Sequence, residues 1–191
     1  IEKSKPTLER LMSSRLGANV TIDAAQVSWT GIRPSFAIQG LRFNNPNSST
    51  PPLFIQDISG QLSWLSFYHL APYFHEITLD QVQLYAQRDV KGVVSIGGIP
   101  IHNNADHFAT ENWLFAQNDI HVNNAKIFWE DQHSRKLKTS IDIQSLHLKN
   151  GIRSHEGQLV TQTPWSPNPI KLEVDFVHHL GGQAGDWRDW V

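Results

Sequence analysis

A three-residue step inside otherwise alternating runs constrains this fold more than any other feature of the sequence. After Gly17 most of the chain alternates apolar with polar residues, which predicts β-strands that bury one face. Five runs contain the pattern apolar-x-x-apolar-x-apolar, at residues 22–27, 38–43, 79–84, 122–127 and 143–148. Strict alternation would put the first and fourth residues of the pattern on opposite faces. One extra residue, a β-bulge, keeps them on the same face and bends the strand.

Two arrangements satisfy this spacing, and the sequence leaves both open. If each strand is bulged, the whole sheet curves; if the strands are apolar on both faces, they belong to a sandwich. Turn sequences such as 44–52 and 150–151 predict about nine to eleven strands joined mainly by hairpins. In the turn 89–92, Asp89 can accept backbone hydrogen bonds and Gly92 can supply a positive φ. The predicted fold class is mainly β, with a curved and largely antiparallel sheet.

Helical spacing is confined to three short segments. An apolar stripe before the first strand is formed by Leu8, Leu11, Met12 and Leu16. It predicts a short amphipathic helix. Residues 65–74 and 106–117 are candidates for one or two short inserted helices. We therefore expect a helix over 1–17, a β domain over 18–180 and a flexible or truncated tail over 181–191.

Composition excludes several classes of function. With 16 Lys plus Arg against 18 Asp plus Glu, the net charge of -2 gives no basic field to attract nucleic acid. The absence of cysteine rules out disulfides, thiol catalysis and thiolate metal sites. Seven Trp and nine Phe indicate an extensive apolar surface, either in a closed core or in an open groove.

The ten histidines and the acids near them form no recognisable active-site motif. His102, Asp106 and His107 share one segment, but their spacing matches no strong metal-ligand motif. Glu130 and Asp131 are neighbours in a predicted strand and should point to opposite faces, which disfavours a glycosidase pair. A glycan-active enzyme that uses Glu130 or Asp131 is the weakest hypothesis. We expect no enzymatic activity, no cofactor and no metal.

Eight stretches carry a family resemblance through their order and spacing. They are Arg15 to Gly17, Val27 to Pro34, Leu62 to Ser66, Leu84 to Gly92, Ile96 to Ile99, Trp113 to Gln117, Ile120 to Asp131, and His155. Together they resemble the amino-terminal periplasmic region of the YhdP branch of the AsmA-like superfamily. The sequence departs from the family at residues 132–135, where an acid and an arginine usually follow the Trp-x-Asp element and Gln132, His133 and Arg135 stand instead.

This resemblance implies a long periplasmic β structure that follows one inner-membrane helix, of which this chain would be the first section without its anchor. The implied fold is a taco-like half barrel with an apolar concave face. The implied function is non-enzymatic phospholipid transport between the inner and outer membranes. The expected partners are phospholipid, the inner membrane through that anchor, and other envelope proteins, with no nucleic acid. The expected location is the periplasm, tethered to the inner membrane.

The residues expected to line the lipid-binding groove are apolar members of the strands. They are Val27, Trp29, Ile38, Phe43, Ile58, Leu62, Leu79, Leu84, Ile96, Val122, Ile127, Ile143 and Leu148. Such side chains would shield acyl groups from water, which is worth about 0.8 kcal/mol per CH₂. A closed core would use the same residues, so the alternative function is a structural scaffold of the cell envelope.

Overall fold

Eleven β-strands make up most of the described part of the chain. The computed structural model describes residues 6, 9–10, 13, 19–45, 50–64, 66, 68, 73–100, 116–133, 137–151 and 154–177. The strands are β1 (Asn19–Thr21), β2 (Ala24–Thr30), β3 (Arg33–Asn44), β4 (Leu53–Leu62), β5 (Phe74–Arg88), β6 (Val94–Ile96), β7 (Ile99–Pro100), β8 (Asp119–Asp131), β9 (Leu137–Asn150), β10 (Ser154–Gln162) and β11 (Ile170–Val177). The predicted mainly β class is confirmed.

All these strands belong to one sheet, in the order β1-β3-β4-β5-β8-β9-β10-β11. β2 continues along β3 beyond β1, while β6 pairs with the end of β5 and with β7. Every pairing is antiparallel except that of β5 with β8, which runs parallel. The sheet is therefore mixed. The segment between β5 and β8 is long enough for the crossover that parallel neighbours need, whereas a hairpin would have made them antiparallel.

A row of extra residues crosses the sheet from the β1–β2 edge to β9. Its members, which we call the bulge row, are Asp23, Gly40, Gln56, Gln81, Asn124 and Gln144. The ladder registers are the same on either side of this row, so the strands carry their extra residues at one level. Gly40, Gln81 and Asn124 have positive φ values of 63°, 52° and 53°. The backbone thus leaves the extended conformation where the three-residue step occurs.

The bulge row keeps the apolar residues of each strand on one face. On β3, Ile38 and Leu41 flank Gly40, and both pack in the same hydrophobic cluster. On β5, Leu79 and Val82 do the same. This confirms the bulged arrangement and removes the sandwich alternative, in which these residues would lie on opposite faces. Bulges raise the local twist and bend a strand, which accounts for the curvature of the sheet.

β10 and β11 lack the extra residue. The register between β9 and β10 changes between Val160 and Thr161, because β9 contains Gln144 and β10 has no residue to match it. β11 then follows plain alternation. Its residues on the apolar side are Ile170, Leu172, Val174 and Phe176.

The buried core lies beside the bulge row. Its residues are Val20, Ile22, Leu41, Ile55, Ile58, Val82 and Ala125. At the edge, the backbone N–H groups of Ile22 and Val20 donate to Glu9 Oε1 at 2.8 Å and to Ser13 Oγ at 3.0 Å. Pro6, Glu9, Arg10 and Ser13 are helical. The predicted amino-terminal helix thus satisfies donors that an edge strand would otherwise leave open.

The other expected helices are covered only in part. Within the segment 65–74, Ser66 and Tyr68 are helical. The expected helix 106–117 lies outside the described residues except for its last two, and the tail 181–191 lies wholly outside them. In the described part of the chain, no helix combines the length and the apolar character that crossing a bilayer requires.

The turn after β5 matches its prediction. Asp89 Oδ1 accepts hydrogen bonds from the backbone N–H groups of Lys91 at 2.8 Å and Val93 at 2.9 Å. Gly92 has a φ of 87°, a value that side chains disfavour. Local sequence was sufficient to predict this turn, because both hydrogen bonds lie within five residues.

Candidate functional site

All thirteen residues predicted to line a groove lie on one face of the sheet, which we call the apolar face. Cross-strand partners share a face, so the ladder pairs identify it. The linking pairs are Val27 with Phe36, Ile38 with Ile58, Ile58 with Leu79, Leu79 with Val122, Leu84 with Ile127, Ala86 with Ile96, and Ala125 with Ile143. The structure therefore gathers the predicted residues into one surface. Their contact with lipid stays a prediction.

The opposite face, which we call the polar face, is formed by the residues that alternate with those of the apolar face along each strand. One cross-strand row on it consists of Gln39, Asp57, Asp80, Asn123 and Ser145. Lys126 and Asp142 form an ion pair across β8 and β9 at 3.0 Å, with about half of each side chain exposed. The polar face also carries the stacked rings of Tyr85 and Phe128, while most aliphatic residues of the strands lie on the apolar face.

Burial along the apolar face follows the bulge row. Ile58 is only 7% exposed, whereas Trp29 on β2 is 65% exposed and Leu172 on β11 is 52% exposed. The remaining predicted lining residues, apart from the exposed Val27, are half-buried. A closed sandwich core would bury such side chains more completely. The face is closed beside the bulge row, where Val20 and Ile22 at the β1 edge are also buried, and it is accessible on β2 and β11.

The apolar face is large enough to accept an acyl chain. Its path crosses eight strands. At about 4.8 Å between strands, this distance is roughly 34 Å along the sheet. One leaflet of a bilayer's hydrocarbon core is about 15 Å thick, half of the roughly 30 Å total. An extended acyl chain therefore fits within the width of the apolar face.

Several residues of the apolar face were not among those predicted to line a groove. They include Phe36, Leu53, Ile55, Ile77, Val82, Ile141, Leu146 and Leu159. The segment from Ile55 to Ile58 has the same three-residue step as the five predicted runs. That spacing could have identified the bulge of β4 from the sequence.

The two acids considered for glycan chemistry lie on opposite faces, as predicted. Glu130 pairs in register with Lys138 and Gln87 on the polar face, and its Oε2 lies 3.2 Å from Lys138 Nζ. Asp131 is on the apolar face, with its Oδ1 3.5 Å from Arg88 Nε. Two carboxylates on opposite sides of a sheet cannot flank one glycosidic bond.

The protonation of Glu130 also argues against a general acid. The hydrogen bond from Gln132, and next that from Lys138, lowers the pKa of Glu130 below its ordinary value. A glycosidase acid needs the opposite shift, because it must hold a proton near neutral pH. The nearby His133 belongs to a turn, where its Nδ1 lies 3.0 Å from the Val90 carbonyl oxygen. The candidate metal segment 102–107 lies outside the described residues.

Comparison with known proteins gives a family. The family model described as YhdP protein matches residues 1–189 of the chain. No match is found among curated proteins. The matched range includes both edges of the sheet, the bulge row and the buried core, so the match concerns the whole fold. The family is associated with lipid transport in the cell envelope and is not known for enzymatic activity.

Proposed function

The chain belongs to the YhdP family, and on that premise we propose that its sheet is a non-enzymatic module that carries phospholipid. In this proposal the apolar face is the concave side of the curved sheet, the acyl chains lie on it, and the headgroup stays in water. The module works in the periplasm, tethered to the inner membrane by an anchor that precedes this chain. It forms the first section of a path towards the outer membrane.

One observation carries this proposal: the bulge row keeps the apolar face continuous from β2 to β9. Without it, Ile38 and Leu41 would point to opposite sides, and each strand would interrupt the surface midway. With it, the apolar side chains on both sides of the row stay on one face across these strands. Such continuity suits a ligand that slides, since the accessible positions all offer apolar contact.

The energetics of transfer require this kind of surface. Each CH₂ exposed to water costs about 0.8 kcal/mol, so a chain of acyl carbons leaves a membrane only along a continuous apolar path. Specific recognition groups are unnecessary, because the hydrophobic effect is non-directional. A set of half-buried apolar side chains meets this requirement without a catalytic centre.

Site-specific photo-crosslinking in cells tests the proposal. A photoreactive amino acid replaces Leu84, Ile127 or Ile143 on the apolar face, in the full-length protein. We expect each variant to capture phospholipid, identified by mass spectrometry after lipid extraction. The matched controls are Gln83, Lys126 and Asp142, which neighbour the test positions in sequence but lie on the polar face. We expect these to capture little or none.

Equal capture from both faces, or no capture from the apolar face of a folded and functional protein, would contradict the proposal. A probe at Ile58 separates it from the scaffold alternative. Ile58 is buried beside the bulge row. A scaffold with a closed core predicts that Leu84 and Ile127 behave like Ile58 and stay unlabelled. The exposure of Trp29 and Leu172 on the same face favours the groove.

A further inference from the structure

A compact group of two imidazoles and one carboxylate lies on the polar face, away from the apolar residues. Asp119 and His121 belong to β8, and His147 is the direct register partner of His121 on β9. His147 Nε2 donates a hydrogen bond to Asp119 Oδ1 at 2.7 Å, and His121 Nε2 lies 3.0 Å from the same oxygen. The two rings stack with their centroids 4.1 Å apart at an angle of 15°.

The ligand atoms of this group are close enough to share one ion. All three lie within 4.8 Å of one another. To bind a divalent metal at about 2.0–2.1 Å through imidazole nitrogen and carboxylate oxygen, the two rings must turn out of their stacked arrangement so that both nitrogens point at the ion. About a third of each side chain is exposed, so water can reach the site and supply further ligands.

We propose that Asp119, His121 and His147 form a binding site for a divalent transition metal of the zinc type. Imidazole nitrogens suit Zn²⁺, Cu²⁺ and Ni²⁺, whereas Mg²⁺ and Ca²⁺ prefer sets of oxygen ligands. Two histidines and one acid, with a remaining position for water, are a familiar zinc ligand set. The ion would join β8 to β9 on the polar face and would not touch the lipid-binding face.

The ordinary hydrogen-bonded cluster is the competing explanation, and it makes different predictions. In it, Asp119 serves as the acceptor for imidazole N–H groups. In the metal site, Nε2 of each histidine gives up its proton and coordinates the ion, since metal ligands must be deprotonated. Thr78 and Gln158 flank the histidine pair in the same cross-strand row and offer neutral oxygens. Lys149, the register partner of Asp119, offers only a competing positive charge.

The sequence pattern does not identify either histidine as a metal ligand, and no metal site was expected. His121 and His147 are 26 positions apart, and neither stands in a motif of metal-ligand spacing. Only the pairing of β8 with β9 brings them together. Because the ligands converge only in the folded chain, the ion would bind the folded state preferentially and raise its melting temperature.

Titration of the tag-free chain with ZnCl₂ tests the proposal, followed by calorimetry and by ¹⁵N NMR of the histidine rings. We expect one Zn²⁺ per chain, ring-nitrogen shifts at His121 and His147, and a higher melting temperature. His147→Gln keeps a hydrogen-bond donor for Asp119 but removes a ligand. We expect it to weaken zinc binding by at least about tenfold, comparable to the loss of a supporting group at a zinc site.

His133→Ala is the matched control, because His133 is exposed and lies in a turn outside the group. It should bind zinc like the unaltered chain. Circular dichroism checks that both variants are folded. If His147→Gln does not fold, Asp119→Asn provides a second variant that lacks a ligand. A zinc Kd weaker than about 0.1 mM, or unchanged affinity in the folded variants, overturns the proposal.

Discussion

The strands up to β9 and the last two strands share one apolar face, but the side chains on that face are buried to different extents in the two regions. The first group carries the bulge row and buries Ile55, Ile58 and Val82 to 7–8% exposure. β10 and β11 have no extra residue, and the apolar face there leaves Leu172 52% exposed and Ile170 42% exposed. The same amphipathic pattern therefore yields a packed core in one region and an accessible surface in the other.

The difference shows what the bulges contribute. Alternation alone makes one face of each strand apolar. It does not make the apolar side chains of neighbouring strands pack against each other. The extra residues bend neighbouring strands at one level, and the side chains beside the bend pack together. Where the bend is absent, apolar side chains stay spread out. The bulges therefore account for the packed part of the face, and the exposed part lies away from the row.

Deletion of Asn124 would have the largest effect on this comparison. It removes the extra residue of β8, so either Ala125 and the residues after it turn to the polar face or the register with β9 slips. We expect loss of cooperative unfolding, measured by near-ultraviolet circular dichroism during urea titration. Asn124→Gly is the control, because it keeps the extra residue and suits the positive φ of 53°. A deletion variant that unfolds in urea like the control would show that the bulge row does not determine which side chains lie on each face.

Truncation of the same face in the two regions should differ in its cost. Ile58→Ala should lower the free energy of unfolding by about 2–5 kcal/mol, because it opens a cavity in the packed region. Leu172→Ala should lower it by less than about 1 kcal/mol, since that side chain is already half exposed. Urea unfolding of both variants measures the difference. Similar costs would mean that the face is equally packed throughout.

Gly40 provides a test of the bend itself. Its φ is 63°, and a β-carbon there would collide with the side chain of Asp23, which holds Arg42 in an ion pair at 2.8 Å. We expect Gly40→Ala to destabilise the protein by about 2–3 kcal/mol.

Gly31 serves as the matched control for Gly40. It has a similar φ of 62°, but nothing lies within 4 Å of a β-carbon built there. Gly31→Ala should therefore cost only the backbone strain, about 1 kcal/mol. Thermal unfolding of both variants gives the comparison, and equal losses would argue that contacts in the bulge row add nothing.

The smallest effect is expected on the polar face of the packed region. The ion pair of Lys126 with Asp142 is about half exposed, so its coupling energy should be about 0.2–1 kcal/mol and should fall as salt screens it. A double-mutant cycle with Lys126→Ala and Asp142→Ala at low and high ionic strength measures this coupling. A larger, salt-independent coupling energy would show that the polar face contributes substantially to the stability of this region.

The sequence by itself determined the local features of this protein. Alternation assigned the strands, and the three-residue step in runs such as 38–43 and 79–84 reduced the possibilities to bulged or two-sided strands, of which the structure contains the bulged ones. The turn at Asp89 and Gly92 followed from its own residues, as did the opposite orientation of Glu130 and Asp131. These features depend on backbone geometry within a few residues, which the side chains of that segment decide.

Only the tertiary structure decided which distant residues meet. The parallel pairing of β5 with β8, the alignment of six extra residues in one row, and the meeting of His121 with His147 all depend on strand order and register. Periodicity within one strand is the same whichever neighbour it has, so it carries no information about pairing. The contrast between the packed region and the accessible edge has the same origin, since burial is a property of how the curved sheet brings its strands together.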